Sequence, residues 1–233
     1  MWHDDRNSEG TLLYESGSKY VGKLKNNKRH GRGVYTYPNV EELNKAKENN
    51  PKMIIDFYDS IRLSFSGEWE EDVNVRGLII FRNGDKYEGQ LYNDKPHVKG
   101  VLTFLDGSVY KGDYQNGMRH GYGIETYPSG KKYEGSWYKS KKHGIGEFRF
   151  ADGRIYKGIF ANNMRNGMGF NWYTDGDLYQ GTYKDDNRDG LFMLNDKGSG
   201  DTHFAEYQDG NYEGLFAKLS SRGNISWYTH SKS

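Results

Sequence analysis

The chain has 233 residues, of which 34% are hydrophobic and 28% charged, with 31 glycines, 20 tyrosines, no cysteine and a net charge of +1. That is too little apolar mass for a thick multilayer core and too many aromatics for a disordered chain. The balanced charge argues against nucleic acid as a main partner, and the lack of cysteine excludes disulfides and thiolate metal sites. No run approaches the ~18 apolar residues of a membrane span, and the opening MWHDDRNSEG has no signal-peptide core. A single layer packed mainly by aromatic rings reconciles these facts.

Residues 1–9 read as an N-terminal arm. From Gly10 a repeat is audible, because Gly10-Thr-Leu-Leu-Tyr14 matches Gly123-Ile-Glu-Thr-Tyr127. Residues 10–39 therefore hold half a unit and a first whole one, opening at Tyr20. Residues 40–64 break the pattern and stand where the next unit is expected. Glu41 to Asn50 predicts a short charged helix stopped by Pro51, and Met53 to Tyr58 an apolar strand. The array then runs over 65–190, with units opening at Phe65, Tyr87, Tyr110, Tyr133, Tyr156 and Tyr179, the last five spaced by 23 residues. Residues 191–211 read as a second irregular insertion containing the flexible loop NDKGSGD, with Phe204 to Tyr207 as an extra strand. A terminal unit opening at Tyr212, with Gly214, Phe216 and Gly223, and a tail fill 212–233.

The clearest unit, Tyr133 to Gly153, is YEGSWYKSKKHGIGEFRFADG. Its Tyr-Glu-Gly followed by His-Gly-x-Gly, recurring at this period, resembles the MORN repeat family, and the match covers nearly all of residues 10–228 outside the two insertions. Departures are Phe65 for the opening tyrosine, Val98 for the glycine after the histidine, and Asn166 and Asp189 for the histidine itself. The resemblance implies one β-hairpin per repeat, stacked into an elongated sheet, in proteins that act mostly as scaffolds. Among relatives with long arrays and little else it suggests a ciliary axoneme role of radial-spoke type, or a basal or cortical cytoskeletal one. Membrane association has also been proposed for the family.

The expected fold class is thus all-β: an elongated single-layer sheet of stacked hairpins, with a short helical or irregular insertion near 41–50. Counting the opening tyrosine as position 0, positions 0, 2 and 4 share one strand face. They hold a tyrosine, a glycine and a bulky residue, as in Tyr133, Gly135 and Trp137. If position 0 opposes position 17, position 4 opposes the second-strand glycine and covers its bare backbone. The aromatics then form a continuous ladder, and the sheet curls into a trough lined by them. The other face of the first strand is polar (Glu88 and Gln90, Lys111 and Asp113, Glu134 and Ser136) and is expected to face water. Eight units would span roughly 75–80 Å.

His97, His120 and His143 recur evenly and invite a metal reading. Equivalent atoms on successive hairpins lie ~10 Å apart, whereas zinc needs its ligands about 2 Å away, so a turn role is preferred. The Gly-x-Gly pairs open strands rather than helices and do not fit a nucleotide loop. No nucleophile elbow, P-loop or thiol is present, so the expectation is no enzyme, no cofactor and no metal. Lys139, Lys141 and Lys142 are candidate contacts for anionic lipid, set against a reading as a solvated hairpin tip. The favoured site is the aromatic face, with Trp69, Tyr114, Trp137, Phe160 and Tyr183 as anchors for a protein partner. Ile54, Ile55, Phe57 and Tyr58 in the first insertion are a second candidate docking surface. The open sheet edges at the array ends offer a route to a homodimer.

The sequence therefore reads as a non-enzymatic scaffold of the cytoplasm, binding protein partners in a cytoskeletal or axonemal assembly. The alternative is an adaptor associated with membrane or phosphoinositide, less favoured than a protein partner.

Overall fold

A computed structural model describes residues 7–49 and 61–228. The hairpin tips explain the strand pattern. Asn26–Asn27, Asn93–Asp94, Asn162–Asn163 and Asp185–Asp186 all have both φ angles positive, between 47° and 76°. Those are the two-residue turns whose twist matches that of paired strands, and Asn and Asp tolerate that backbone best. Each tip joins a seven-residue strand to a nine-residue one. The extra length accommodates a bulge, visible as a register shift between Gly135 and Trp137.

The chain divides into two units, Met1–Met118 and Arg119–Ser233. In the first, β1 (Asn7–Leu13), β2 (Lys19–Lys25), β3 (Lys28–Thr36), β4 (Arg62–Glu70), β5 (Val73–Phe81), β6 (Lys86–Tyr92), β7 (Lys95–Thr103) and β8 (Val109–Gln115) form an antiparallel meander. The helix α1 (Val40–Asn49) lies between β3 and β4. It starts with a capping box: Glu42 N donates to Asn39 Oδ1 and Asn39 N to Glu42 Oε2, both 2.8 Å. The predicted helix is thus found one residue earlier at its start. The strand predicted over 53–58 lies outside the described residues.

No hairpin is missing at this insertion, contrary to expectation. β3 pairs directly with β4, Gly33 opposite Gly67 and Tyr35 opposite Phe65. The insertion is an excursion between two neighbouring strands.

In the second unit β9 (Met118–Thr126), β10 (Lys132–Tyr138), β11 (Lys141–Arg149), β12 (Ile155–Ala161), β13 (Met164–Trp172), β14 (Leu178–Lys184), β15 (Asn187–Asn195), β16 (Thr202–Gln208), β17 (Asn211–Leu219) and β18 (Ile225–Trp227) continue in the same way. Residues 191–211 are not an irregular insertion. β15 pairs with β16 in regular register, Asn195 opposite Thr202 and Leu191 opposite Glu206. The last hairpin therefore opens at His203, not at Tyr212, which sits in its second strand. The preceding turn is one residue longer than usual, and His203 and Ala205 occupy the places of the tyrosine and glycine.

The predicted register is also corrected, by two residues. Position 0 opposes position 15 and not 17: Tyr133 faces Phe148, and Gly135 faces Gly146. The same glycine-to-glycine pairing joins Gly22 to Gly33, Gly89 to Gly100 and Gly158 to Gly169.

Candidate partner-binding faces

Paired glycines leave a flat strip of bare backbone, and the opening tyrosine lies down on it. A Cβ on Gly33 would sit 2.3 Å from the ring of Tyr20, and one on Gly169 would sit 2.4 Å from that of Tyr156. Lying flat carries each phenol to the carbonyl three residues ahead: Tyr20 Oη donates to Lys23 O (2.7 Å), Tyr133 Oη to Ser136 O (2.8 Å) and Tyr110 Oη to Asp113 O (2.9 Å). Burial pushes the phenols of Tyr87, Tyr133 and Tyr156 well above the usual tyrosine range.

The bulky position 4 covers a glycine at Leu24, over Gly10; the aromatic ones stand edge-on against the flat rings of position 0 instead of covering glycine as expected. Trp69 meets Tyr20 and Phe65 at ring separations of 5.6 and 5.1 Å. Tyr114 meets Tyr87 and Tyr110 (5.1 and 5.4 Å), and Phe160 meets Tyr133 and Tyr156 (5.1 and 5.3 Å). Trp137 stands against Tyr133 at 5.3 Å, with its indole N–H donating to Gly123 O (3.2 Å), and Tyr183 against Tyr156 at 5.3 Å. These T-shaped contacts form a ladder of the favoured edge-to-face kind.

The five proposed anchors, Trp69, Tyr114, Trp137, Phe160 and Tyr183, are each between 2% and 5% exposed. The expectation that they present an open aromatic surface is corrected for that physical reason: each spends its ring on its neighbours.

Within each unit cations lie over the ladder, stacked on some of the position-4 rings. Arg29 stacks on Trp69 (4.3 Å to the ring centre), Arg119 on Trp137 (4.4 Å) and Arg165 on Tyr183 (4.6 Å). Glu125, itself buried, receives Arg119 Nη1 at 2.5 Å and lies 3.6 Å from Lys142 Nζ, and Tyr127 Oη donates to it. Burial lowers the Lys142 pKa, and the nearby Glu125 carboxylate partly opposes it. Lys142 also donates to Tyr127 Oη (3.0 Å) and sits 4.9 Å from the Phe148 ring. Of the three lysines proposed for lipid, then, Lys142 is committed inside the ladder, whereas Lys139 and Lys141 are exposed. Sequence reading passed over these cations, although Arg29, Arg119, Lys142, Arg165 and Arg188 all lie nine residues after an opening tyrosine.

Exposed apolar surface lies instead on the opposite face, as the paired Val21 and Val34 in the first unit and as a longer stripe in the second. Tyr122, Ile145, Ile159, Met168 and Leu191 alternate with the buried glycines and are between 42% and 76% exposed. Ile145 pairs directly with Ile159, and the β12–β13 bulge keeps Met168 beside it. Next to them Phe170 and Trp172 stack at 5.8 Å and 22°. Elsewhere in the first unit the same rows are charged: Arg32 faces Glu68, Glu68 faces Arg76, and Lys99 pairs with Asp113. The polar face expected of the first strands is kept by β6 and by β10 with Glu134 and Ser136, whereas second strands of the second unit add Tyr122, Ile145, Met168 and Leu191 to it.

His120 and His143 flank Tyr138 on this side at 5.3 and 5.7 Å, and His97 packs on Tyr92 at 5.5 Å. Ile54, Ile55, Phe57 and Tyr58 lie outside the described residues.

The family model of the MORN repeat matches residues 20–39, 65–86, 87–109, 110–132, 133–153, 156–178 and 179–191. No curated protein matches the sequence. Among solved structures, the chain is similar to the SAS-4 TCP domain of Drosophila melanogaster in complex with a proline-rich motif of Ana2, at 12% identity, covering 84% of this chain and 88% of that one, TM-score 0.39. It is similar to the TCP10 domain of Danio rerio CPAP in complex with a STIL peptide at 11% identity, covering 96% and 100%, TM-score 0.39. Virginiamycin B lyase from Staphylococcus aureus matches at 12% identity, covering 98% and 71%, TM-score 0.17.

Proposed function

Because this chain belongs to the MORN repeat family, we propose that it works as a non-enzymatic scaffold that holds protein partners, as a structural component of a cytoskeletal assembly such as a ciliary axoneme. The observation that carries the reading is the exposed apolar stripe of the second unit, Tyr122, Ile145, Ile159, Met168 and Leu191. The ladder face uses its aromatics to build the sheet, so the apolar groups left over for another molecule are on the other side. Contiguous exposed apolar surface marks partner sites, and the charged rows at the same place in the first unit show that the fold does not require it. The axonemal setting rests on what relatives with similar arrays do and stands as the first setting to test.

The test is recovery of partners from native cytoskeletal and axonemal fractions by the chain and by its Ile145→Lys/Met168→Lys variant. Selective retention of axonemal proteins that the variant loses supports the reading. Equal recovery by both moves the interface off the stripe, and recovery restricted to anionic vesicles replaces the scaffold with a membrane adaptor.

A further inference from the structure

The cations over the ladder lose their carboxylates at Arg188, and beside it the ladder opens into a pocket. Arg29 and Arg165 are each clamped by an aspartate at the tip of the following hairpin, Asp72 at 3.1 Å and Asp186 at 3.0 Å. Arg119 and Lys142 share Glu125. At Arg188 the equivalent tip residue is Gly210, and the two residues equivalent to Glu125 are Asn171 and Leu194. Its guanidinium instead donates to Tyr207 Oη (2.9 Å) and Tyr173 Oη (3.1 Å), and lies 4.3 Å from the ring centre of Tyr179 and 5.0 Å from that of Tyr207. A hydroxyl that accepts from a guanidinium keeps its own proton to donate.

The adjoining cavity exists because the repeat fails here. With His203 and Ala205 in place of tyrosine and glycine, no ring lies flat over this stretch of sheet. Phe192, standing where a glycine is usual, covers Gly181 instead and reaches Tyr183 and Tyr207 at 5.3 Å. The space left is ≈ 260 Å³, walled by Tyr179, Phe192, Leu194, His203, Tyr207 and Leu215.

We propose that this pocket binds a peptide segment carrying one carboxylate beside an apolar side chain. The Tyr173 and Tyr207 hydroxyls, backed by Arg188, receive the carboxylate, and the apolar cavity takes the neighbouring side chain. Its volume is below the roughly 300–1,000 Å³ of small-molecule and cofactor sites and suits a side chain. A single guanidinium with no carboxylate partner among the described residues matches one negative charge. The acidic tips around it, Asp185, Asp186 and Asp209, are exposed and disfavour a densely anionic bilayer. The pocket is on the ladder face, away from the apolar stripe, and stands or falls independently of it.

The test is an NMR titration of the full chain with acetyl-Leu-Glu-Phe-amide and, as the neutral control, acetyl-Leu-Gln-Phe-amide. The expected result is about tenfold tighter binding of the glutamate peptide, the scale of one hydrogen bond to a charged group, with shifts at the Arg188 side chain and the His203 ring. Arg188→Met should remove the preference. So should Gly210→Asp, which restores the clamp at a tip where Asp72 and Asp186 already accept φ of 74° and 68°. Arg165→Met, whose cation is already neutralised by Asp186, should keep it. Equal binding of both peptides, absence of shifts at Arg188, or a preference surviving both Arg188→Met and Gly210→Asp would overturn the proposal. So would binding of phosphatidylserine vesicles that Arg188→Met abolishes, with no preference between the peptides.

Discussion

A Cβ built on Gly146 would stand 2.6 Å from the ring and hydroxyl of Tyr133, closer than any real contact. The tyrosine and the glycine thus specify each other, and the repeat is this relationship copied along the chain. Gly146→Ala must lift the ring and the two rings that lean on it, at a cost of about 2–3 kcal/mol or more. Gly130→Ala is the contrast, since nothing lies within 4 Å of its Cβ and only its φ of 84° is unfavourable. It should cost about 1 kcal/mol. Urea unfolding of the two variants measures the difference.

Trp137→Ala and Phe160→Ala act on stability before they act on binding. Both side chains are buried, each with tyrosine contacts on the ladder. Each substitution should cost about 3–5 kcal/mol. Chemical denaturation curves showing a loss below about 1 kcal/mol would mean that the rings are not packed as described.

Val98 holds a φ of 62° where the equivalent residues Gly31, Gly121 and Gly144 hold 63°, 60° and 75°. A β-branched residue is strained in that region. Val98→Gly should therefore stabilise the chain by about 1 kcal/mol, reversing the usual penalty of glycine in a strand. A thermal or urea midpoint that falls instead would show that the side chain contributes more than its backbone costs.

Alkaline conditions attack the ladder. The phenols of Tyr87, Tyr133 and Tyr156 are raised by burial, so the unfolded chain loses these protons first. The stabilisation from keeping them neutral is complete below about pH 10 and declines as pH rises above it toward the folded-state values. Unfolding free energies taken between about pH 8 and pH 11 should fall through the upper part of that range. Tyr133→Phe removes one ionising group and should flatten the fall, at a cost of about 1 kcal/mol at neutral pH from the lost bond to Ser136 O.

The period and the strands were legible because tyrosine and glycine carry those signals themselves. The register was not, because two opposed glycines leave no side-chain trace of their pairing. Only the ring of Tyr133 lying across Gly146 reveals it. The hairpin opening at His203 was hidden for a related reason: its tyrosine and glycine are gone, and the ring that meets Tyr207 is Phe192 of the neighbouring strand. The exposed stripe was overlooked because the polar residues of the first strands, such as Glu134 and Ser136, stood for the whole face. The second strands contribute Ile145, Met168 and Leu191 to it.

The central claim is that one face builds the sheet and the other meets the partner. Hydroxyl-radical footprinting of the second unit, in the full chain, free and with its captured partner, tests it most directly. The account predicts that Met168, Ile145 and Leu191 are labelled in the free chain and protected in the complex, while Trp137 and Phe160 are protected in both. Labelling of Trp137 in the free chain that disappears on binding, with Met168 unchanged, would contradict it.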